Sequence, residues 1–492
     1  MVFNSDARRG NNLSQSETLQ NVNFSETSGM LKCHCGTCPN VLNVHSVDAY
    51  CGAEYSARRS QCPVPQATAS PPSGYIMSNF DMTRATEELI HAESAKQTPR
   101  TPPPLRLADR MSRLGTETAF EVLVRARALE KQGKDIVHLE IGEPDFDTPA
   151  NVIEAASSAL HKGWTHYGPS AGLPDLRQAI ADDVSRSRGV PVSPEEVVVV
   201  PGGKPIIFFT ILSLVEPGDE VIYPNPGFPI YESMINFVGA KAVPIQLREE
   251  MDFRLDVNEL ADLINDRTKL IIINSPQNPT GGVLGESDIR DIAAAIGDRE
   301  IMILSDEIYS RLLFEGKHHS IMALDGFKGR TILLDGFSKT YAMTGWRMGY
   351  GVMRPDLAAH VARLMTNSNS CTASFTQVAG VEAIRGDQSS VEQMRQEFMK
   401  RRDLFVGGLN RIKGFSCRLP KGAFYTFPNI KQTGWPSKKL ADALLEHAGV
   451  AALSGTSFGA FGEGYLRFSV ANSQENLKKA LDRIEQWTRK NL

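Results

Sequence analysis

A lysine set at the end of a buried strand, beside an apolar pocket, can lose its proton and act as a nucleophile or base. Lys339 has that setting in DGFSKTYAMTGWRMGY, with Ser338 immediately before it and Arg347 eight residues on. Alone it reads as a surface lysine, because lysine is mostly exposed. Its neighbours change the reading. A hydroxyl, a guanidinium and a lysine together suit a phosphate monoester next to an electrophilic carbonyl.

Asp306 closes the apolar run IMILSD, and Tyr309 follows three residues later in SDEIY. A carboxylate buried there beside a pyridine-type ring nitrogen keeps that nitrogen protonated and makes the ring an electron sink. The Tyr309 phenol and the Asn278 amide, in NSPQNPTGG, could both reach an oxygen on such a ring. NPTGG alone reads as a plain turn, since Asn, Pro and Gly are turn formers. Gly202, Gly203 and Lys204 lie between VVVVP and PIIFFTILSLV, so they head a helix whose backbone N–H groups can cradle phosphate. Phe228 in PNPGFPIY could stack on a flat ring, although an aromatic there also suits a core. Arg467 sits inside the apolar segment GYLRFSVA. A buried guanidinium is costly unless paired, and its fork suits a carboxylate.

These residues need a frame that brings them together. The runs VVVV (197–200), EVIYP (220–224), KLIIINS (269–275), IMILSD (301–306) and TILLDGFS (331–338) are apolar throughout rather than alternating. That pattern suits strands buried on both faces of a mostly parallel sheet. Helical patterns separate them, so the predicted fold is α/β, a doubly wound and mostly parallel sheet forming a large domain. Ligands of such sheets bind at the carboxyl ends of the strands, where these polar residues lie. TAFEVLVRARALEKQGKD (118–135) predicts an amphipathic helix, and VHLEIGEPDF (137–146) a short strand running into a turn. The last third predicts helices over 377–386, 391–412, 437–448 and 474–490 around the strand-like GAFYTFPNI and GYLRFSVA. That is a smaller α+β domain. We assign 105–150 with 390–492 to the small domain and 151–389 to the large, cofactor-binding one.

Composition narrows the classes of function. The chain has 492 residues, 41% hydrophobic and 22% charged, with a formal net charge of -4. So small a charge gives no reason to expect nucleic acid or an anionic membrane as a partner. The sequence contains no run of eighteen apolar residues, the length needed to span a bilayer as a helix. The N-terminus lacks the apolar segment of a secretory signal, and a cytoplasmic location is the expectation. Residues 1–104 are rich in Ser, Asn, Thr and Pro and predict a disordered extension. Their CHCGTC cluster (33–38) lacks the second paired ligand set of a structural zinc site, because Cys51 and Cys62 are not so spaced. No metal is expected. A regulator with a DNA-reading helix pair is also not expected, since this segment shows no basic recognition helix.

NSPQNPTGG, SDEIY and SKTYAMTGWRMGY, in this order and spacing, closely resemble the class I aminotransferases of the pyridoxal 5'-phosphate (PLP) dependent aspartate aminotransferase superfamily. EIGEPDFDTP, THYGPSAGLPDLRQAI, PGDEVIYPNPGFPIY and GYLRFSVAN add to the match, which covers residues 107–490.

The resemblance implies that Lys339 forms the Schiff base with PLP and shuttles a proton. It implies that Asp306 holds the pyridinium, that Tyr309 and Asn278 touch the ring's 3-oxygen, and that Phe228 stacks on the ring. Arg347, Gly203 and Lys204 would bind the phosphate, with Tyr167 of HYGPSAG reaching the phosphate of a partner subunit in a homodimer. Arg467, helped by Asn278 and the Gly142 backbone, would clamp the α-carboxylate of an amino acid or a 2-oxo acid. Many members carry a phosphate-binding serine three residues before the lysine. Here that position is Gly336, and Ser338 is the candidate substitute. The implied reaction is ping-pong transamination, aspartate-type by family likeness. A PLP-dependent lyase or synthase of the same fold is the alternative.

Overall fold

A computed structural model describes residues 104–492. The CHCGTC cluster and the rest of the extension before it lie outside the described residues.

Thirteen strands form three sheets among these residues. They are β1 (Val137–His138), β2 (Val197–Val200), β3 (Glu220–Asn225), β4 (Lys241–Arg248), β5 (Arg254–Leu255), β6 (Thr268–Asn274) and β7 (Met302–Asp306). There follow β8 (Thr331–Gly336), β9 (Gly349–Val352), β10 (Tyr425–Thr426), β11 (Val450–Ala451), β12 (Leu453–Ser454) and β13 (Leu466–Ser469). The main sheet has eight strands in the order β2-β9-β8-β7-β6-β3-β4-β5. Strands β8, β7, β6, β3 and β4 are parallel, β9 runs against both of its neighbours, and β5 runs against β4. The fold is the expected α/β doubly wound one.

The apolar runs are explained by burial on both faces. Val198, Val200, Leu304, Ile332 and Leu334 point to one face, where they pack with Ile206, Ile207 and Val361 of flanking helices. Their alternates Val197, Val199, Leu333 and Val352 face the other way, against Leu176, Ile180 and Ala379. Ile271, Ile273 and Ile303 meet Ile289 and Ile292 of a third helix group. Each fully buried Val, Leu or Ile contributes about 1.5–3 kcal/mol, so a polar residue in place of any of these apolar side chains would be costly.

β8 is two residues shorter than its apolar run predicted. Gly336 pairs with Gly349 of β9, and the chain then turns into a single helical turn, Phe337–Thr340. Lys339 therefore projects from a helical turn, not from a strand. The antiparallel β9 was not legible as such in the sequence, and it has a consequence. Running against β8, it enters the sheet at the rim where β2, β6, β7 and β8 end, and so delivers Arg347 there.

A further cluster joins Val137 and Leu139 to Phe398, Phe405 and Leu409 of the helix Ser389–Leu409, and to Leu477 and Ile484 of the helix Gln474–Asn491. Tyr309, Leu312 and Phe314, just beyond β7, belong to the same cluster. Shared packing thus couples the small antiparallel sheet β10-β13-β12, which carries Arg467, to the rim of the large sheet.

Candidate active site

One cavity of about 460 Å³ lies over that rim. Gly142, Gly203, Lys204, Phe228, Asn278, Asp306, Tyr309, Ser338, Lys339, Arg347 and Arg467 all line it. The fold thus gathers the separated sequence segments at one place. Tyr167 is the exception: it does not line the cavity and is 90% exposed.

Lys339 Nζ donates to the Gly142 carbonyl at 2.6 Å. Burial lowers its pKa to about 8, against an opposing pull from Glu143 and a further push down from Arg467. A neutral amine is therefore reachable near neutral pH. Gly142 has no freedom to change, because a Cβ there would collide with the Tyr425 hydroxyl.

Asp306 ends β7 and is buried, 5% exposed. Tyr231 donates its hydroxyl to Oδ2 at 2.6 Å, and the Ile308 N–H donates to Oδ1 at 3.3 Å. Burial nonetheless pushes its carboxyl up to about 6. A buried carboxylate with no cation on it favours a positive group brought into the cavity.

Arg467 is 4% exposed. Its Nη1 donates to Asn278 Oδ1 at 3.2 Å, and its Nη2 donates to the Glu140 carbonyl. Its Nε has no partner, and no carboxylate among the described residues stands within ion-pair distance. Burial lowers its proton affinity. The guanidinium stacks 4.5 Å from the Tyr425 ring centre and 4.8 Å from Phe458. Fixed by two aromatic faces and lacking an anion, it is built to receive one.

The opposite end suits a phosphate. Gly203 and Lys204 open the helix Lys204–Leu214, whose first N–H groups have no intrahelical acceptor. Gly202 has a φ of +83°, and a Cβ on it would collide with the Arg347 guanidinium. Arg347 donates to the Thr344 carbonyl at 2.8 Å and lies at the cavity with no ion pair among the described residues. Ser338 also lines the cavity. The departure at Gly336 has a steric reason. A Cβ there would stand 2.9 Å from the Gly349 Cα, and one on Gly349 would stand 2.7 Å from the Gly203 nitrogen. The sheet leaves no room for a serine at 336.

Several cavity residues escaped the sequence reading. Tyr425 shares a 2.7 Å hydrogen bond with Tyr309 and carries Arg467 on its ring. Tyr231 serves Asp306, and its signal was its place three residues after Phe228. Glu117 lines the cavity and ion-pairs with Lys204. Nothing in its sequence context marks it.

An amine of lowered pKa, a buried acid floor, an unpaired guanidinium and a glycine-lined anion cradle fit PLP together with an amino acid. Fold and cavity thus define a PLP-dependent enzyme of amino acids. Residues 134–484 match the family described as aminotransferase class I and II. An aspartate aminotransferase of Pyrococcus horikoshii is 42% identical over 381 residues, 77% of this chain and 96% of that protein. Aromatic-amino-acid aminotransferase 2 of Thermococcus litoralis is 38% identical, over 77% of this chain and 98% of its own length. The solved aspartate aminotransferase of Thermus thermophilus with maleate superposes with a TM-score of 0.75 at 36% identity, covering 78% of this chain and 99% of that one. The chain belongs to the class I and II aminotransferase family, and it is a PLP-dependent transaminase acting on amino and 2-oxo acids. The lyase or synthase alternative is not favoured.

No helix among the described residues is long and apolar enough to cross a membrane. Nor do the described residues gather three or more His, Cys, Asp or Glu in a group able to hold a metal.

Proposed function

We propose that this transaminase favours aspartate-type substrates and works by ping-pong exchange through Lys339. The observation that carries the site reading is Arg467, a buried guanidinium with no carboxylate of its own, in one cavity with Lys339 and Asp306. Bound PLP supplies an electrophilic aldehyde and an electron-withdrawing ring. Lys339 holds the cofactor at rest and then moves a proton at the substrate's α-carbon. Asp306 keeps the ring nitrogen protonated, Tyr309 and Asn278 serve the 3-oxygen, and Phe228 covers the ring. Arg347, Ser338 and the N–H groups of Gly203 and Lys204 hold the phosphate. Arg467, Asn278 and the Gly142 backbone fix the α-carboxylate of both substrates in turn, which lets one cavity serve both halves of the reaction.

Two relatives named above carry aspartate in their names, which supports the aspartate-type reading. We read the working unit as a cytoplasmic homodimer in which Tyr167 reaches the partner's cofactor. Its 90% exposure leaves the phenol free to reach a second subunit, which supports this reading. We divide the protomer into a small domain, 105–150 with 390–492, and a large domain, 151–389.

The test is a coupled assay with aspartate and 2-oxoglutarate. One glutamate formed per aspartate consumed supports the reading. Ammonia released without an oxo-acid acceptor overturns it.

A further inference from the structure

Four cationic side chains line the cavity: Lys204, Lys339, Arg347 and Arg467. Arg467 and Arg347 carry no ion pair among the described residues, and Lys339 faces a carbonyl. Lys204 differs, because Glu117 neutralises it. Its ammonium also stands 5.6 Å from the centre of the Phe228 ring.

Glu117 is placed to do more than decorate a surface. Its side chain is only 18% exposed, against 42% for Lys204, so the pair is partly desolvated and stronger than a surface pair. Glu117 precedes the helix Thr118–Glu130, at the position where a side chain commonly caps a helix. It makes no capping bond. Its carboxylate turns instead to the cavity cation, and the neighbouring Thr118 hydroxyl is left buried without a partner. The field of Glu117 also reaches Lys339 and Arg467, favouring the charged form of each.

A ping-pong enzyme passes two substrates through one cavity, and their side chains can make opposite demands. A dicarboxylate needs a cation beyond Arg467. A neutral side chain needs the same cation silenced, since an unpaired charge against apolar surface is costly. We propose that Glu117 is a specificity-determining residue, occupying Lys204 as an internal stand-in for a substrate's side-chain carboxylate. A dicarboxylate must displace Glu117 to gain Lys204. A neutral side chain enters with the pair closed and meets no net charge. Glu117 acts through Lys204, as a positioning residue. The inference rests on the reading of Arg467 as the α-carboxylate receptor.

Glu117→Gln keeps the shape and removes the charge, and Glu117→Asp keeps the charge. With the PLP-loaded protein, kcat/KM is measured for aspartate and for phenylalanine, and dissociation constants for succinate and butyrate. In Glu117→Gln the aspartate-to-phenylalanine ratio is expected to rise about tenfold, and succinate to tighten about tenfold relative to butyrate. Glu117→Asp should retain the native ratios. In a Lys204→Met background the Glu117 substitution should no longer shift either ratio. Equal shifts for both members of each pair, or no shift, overturn the proposal. Ligand binding needs no turnover, so a protein that converts no amino acid defeats the activity reading while succinate and butyrate still judge Glu117.

Discussion

Arg467 donates to Asn278 across 3.2 Å, so a buried cation with no ion pair among the described residues is held by an amide that leaves its charge unspent. Replacing it with Gln should lower kcat/KM for every amino acid, by about 2–5 kcal/mol of lost charge-assisted binding. Arg467→Lys should recover only part of this, because an ammonium offers no planar fork. Steady-state kinetics on two amino acids checks this. A loss confined to one of them contradicts a shared α-carboxylate contact.

Lys339 and the Gly142 carbonyl set a second expectation. The neutral amine is the reactive form, and its pKa is lowered to about 8. Covalent uptake of PLP by the cofactor-free protein should therefore speed up as pH rises through about 8 and level off above it. Stopped-flow absorbance gives the profile. A midpoint near the ordinary lysine value of 10.5 would mean that burial does not tune this amine. Lys339→Ala should abolish both uptake as a covalent adduct and turnover.

Asp306 and Tyr231 lead to a stability measurement. A carboxyl whose folded pKa lies above its unfolded value is more ionised in the unfolded chain, so folding loses stability as pH rises through that interval. For Asp306 the interval runs from 3.8 to about 6, and the penalty stays in full above it, on the order of 3 kcal/mol. The PLP-free Asp306→Asn variant should thus unfold no more easily than the native protein at pH 8, yet bind PLP at least about tenfold more weakly. Thermal unfolding and PLP titration read the two effects. A PLP-free variant markedly less stable at pH 8 would count against the buried, uncompensated carboxylate.

Ser338 and Gly336 test the phosphate end. Ser338→Ala should weaken PLP about tenfold, the worth of one hydrogen bond to a charged group. Adding Gly336→Ser should not restore affinity, since its Cβ would press on the Gly349 backbone. It should cost roughly 1–3 kcal/mol of stability. Rescue of PLP binding by Gly336→Ser would show that the sheet opens more easily than its geometry implies.

The sequence was most legible where one strand end carries one chemical group. β6, β7 and β8 are apolar runs with Asn278, Asp306 and Lys339 just at or beyond their ends, so strand and ligand announce each other. β9 was not read because its sequence GYGV carries two glycines, one at a close approach to the Gly202–Gly203 backbone and one packed under the Ile206 and Met353 side chains, rather than a run of apolar residues. β4 alternates, with one face partly exposed, and lacks the continuous run of its neighbours. Tyr425 and Glu117 escaped for a different reason. Each comes from a remote segment and owes its role to a partner, Tyr309 or Lys204, that only the folded chain brings near.

The most direct measurement is a single half-turnover. PLP-loaded protein is mixed with one amino acid at a time, without any oxo-acid acceptor, while the absorbance of the lysine-bound cofactor is followed. Aspartate should remove that band completely, with one oxaloacetate formed per site, no ammonia, and recovery of the band on adding 2-oxoglutarate. A band that no amino acid removes, or one whose loss brings continuous ammonia release, would contradict transamination through Lys339 and Arg467.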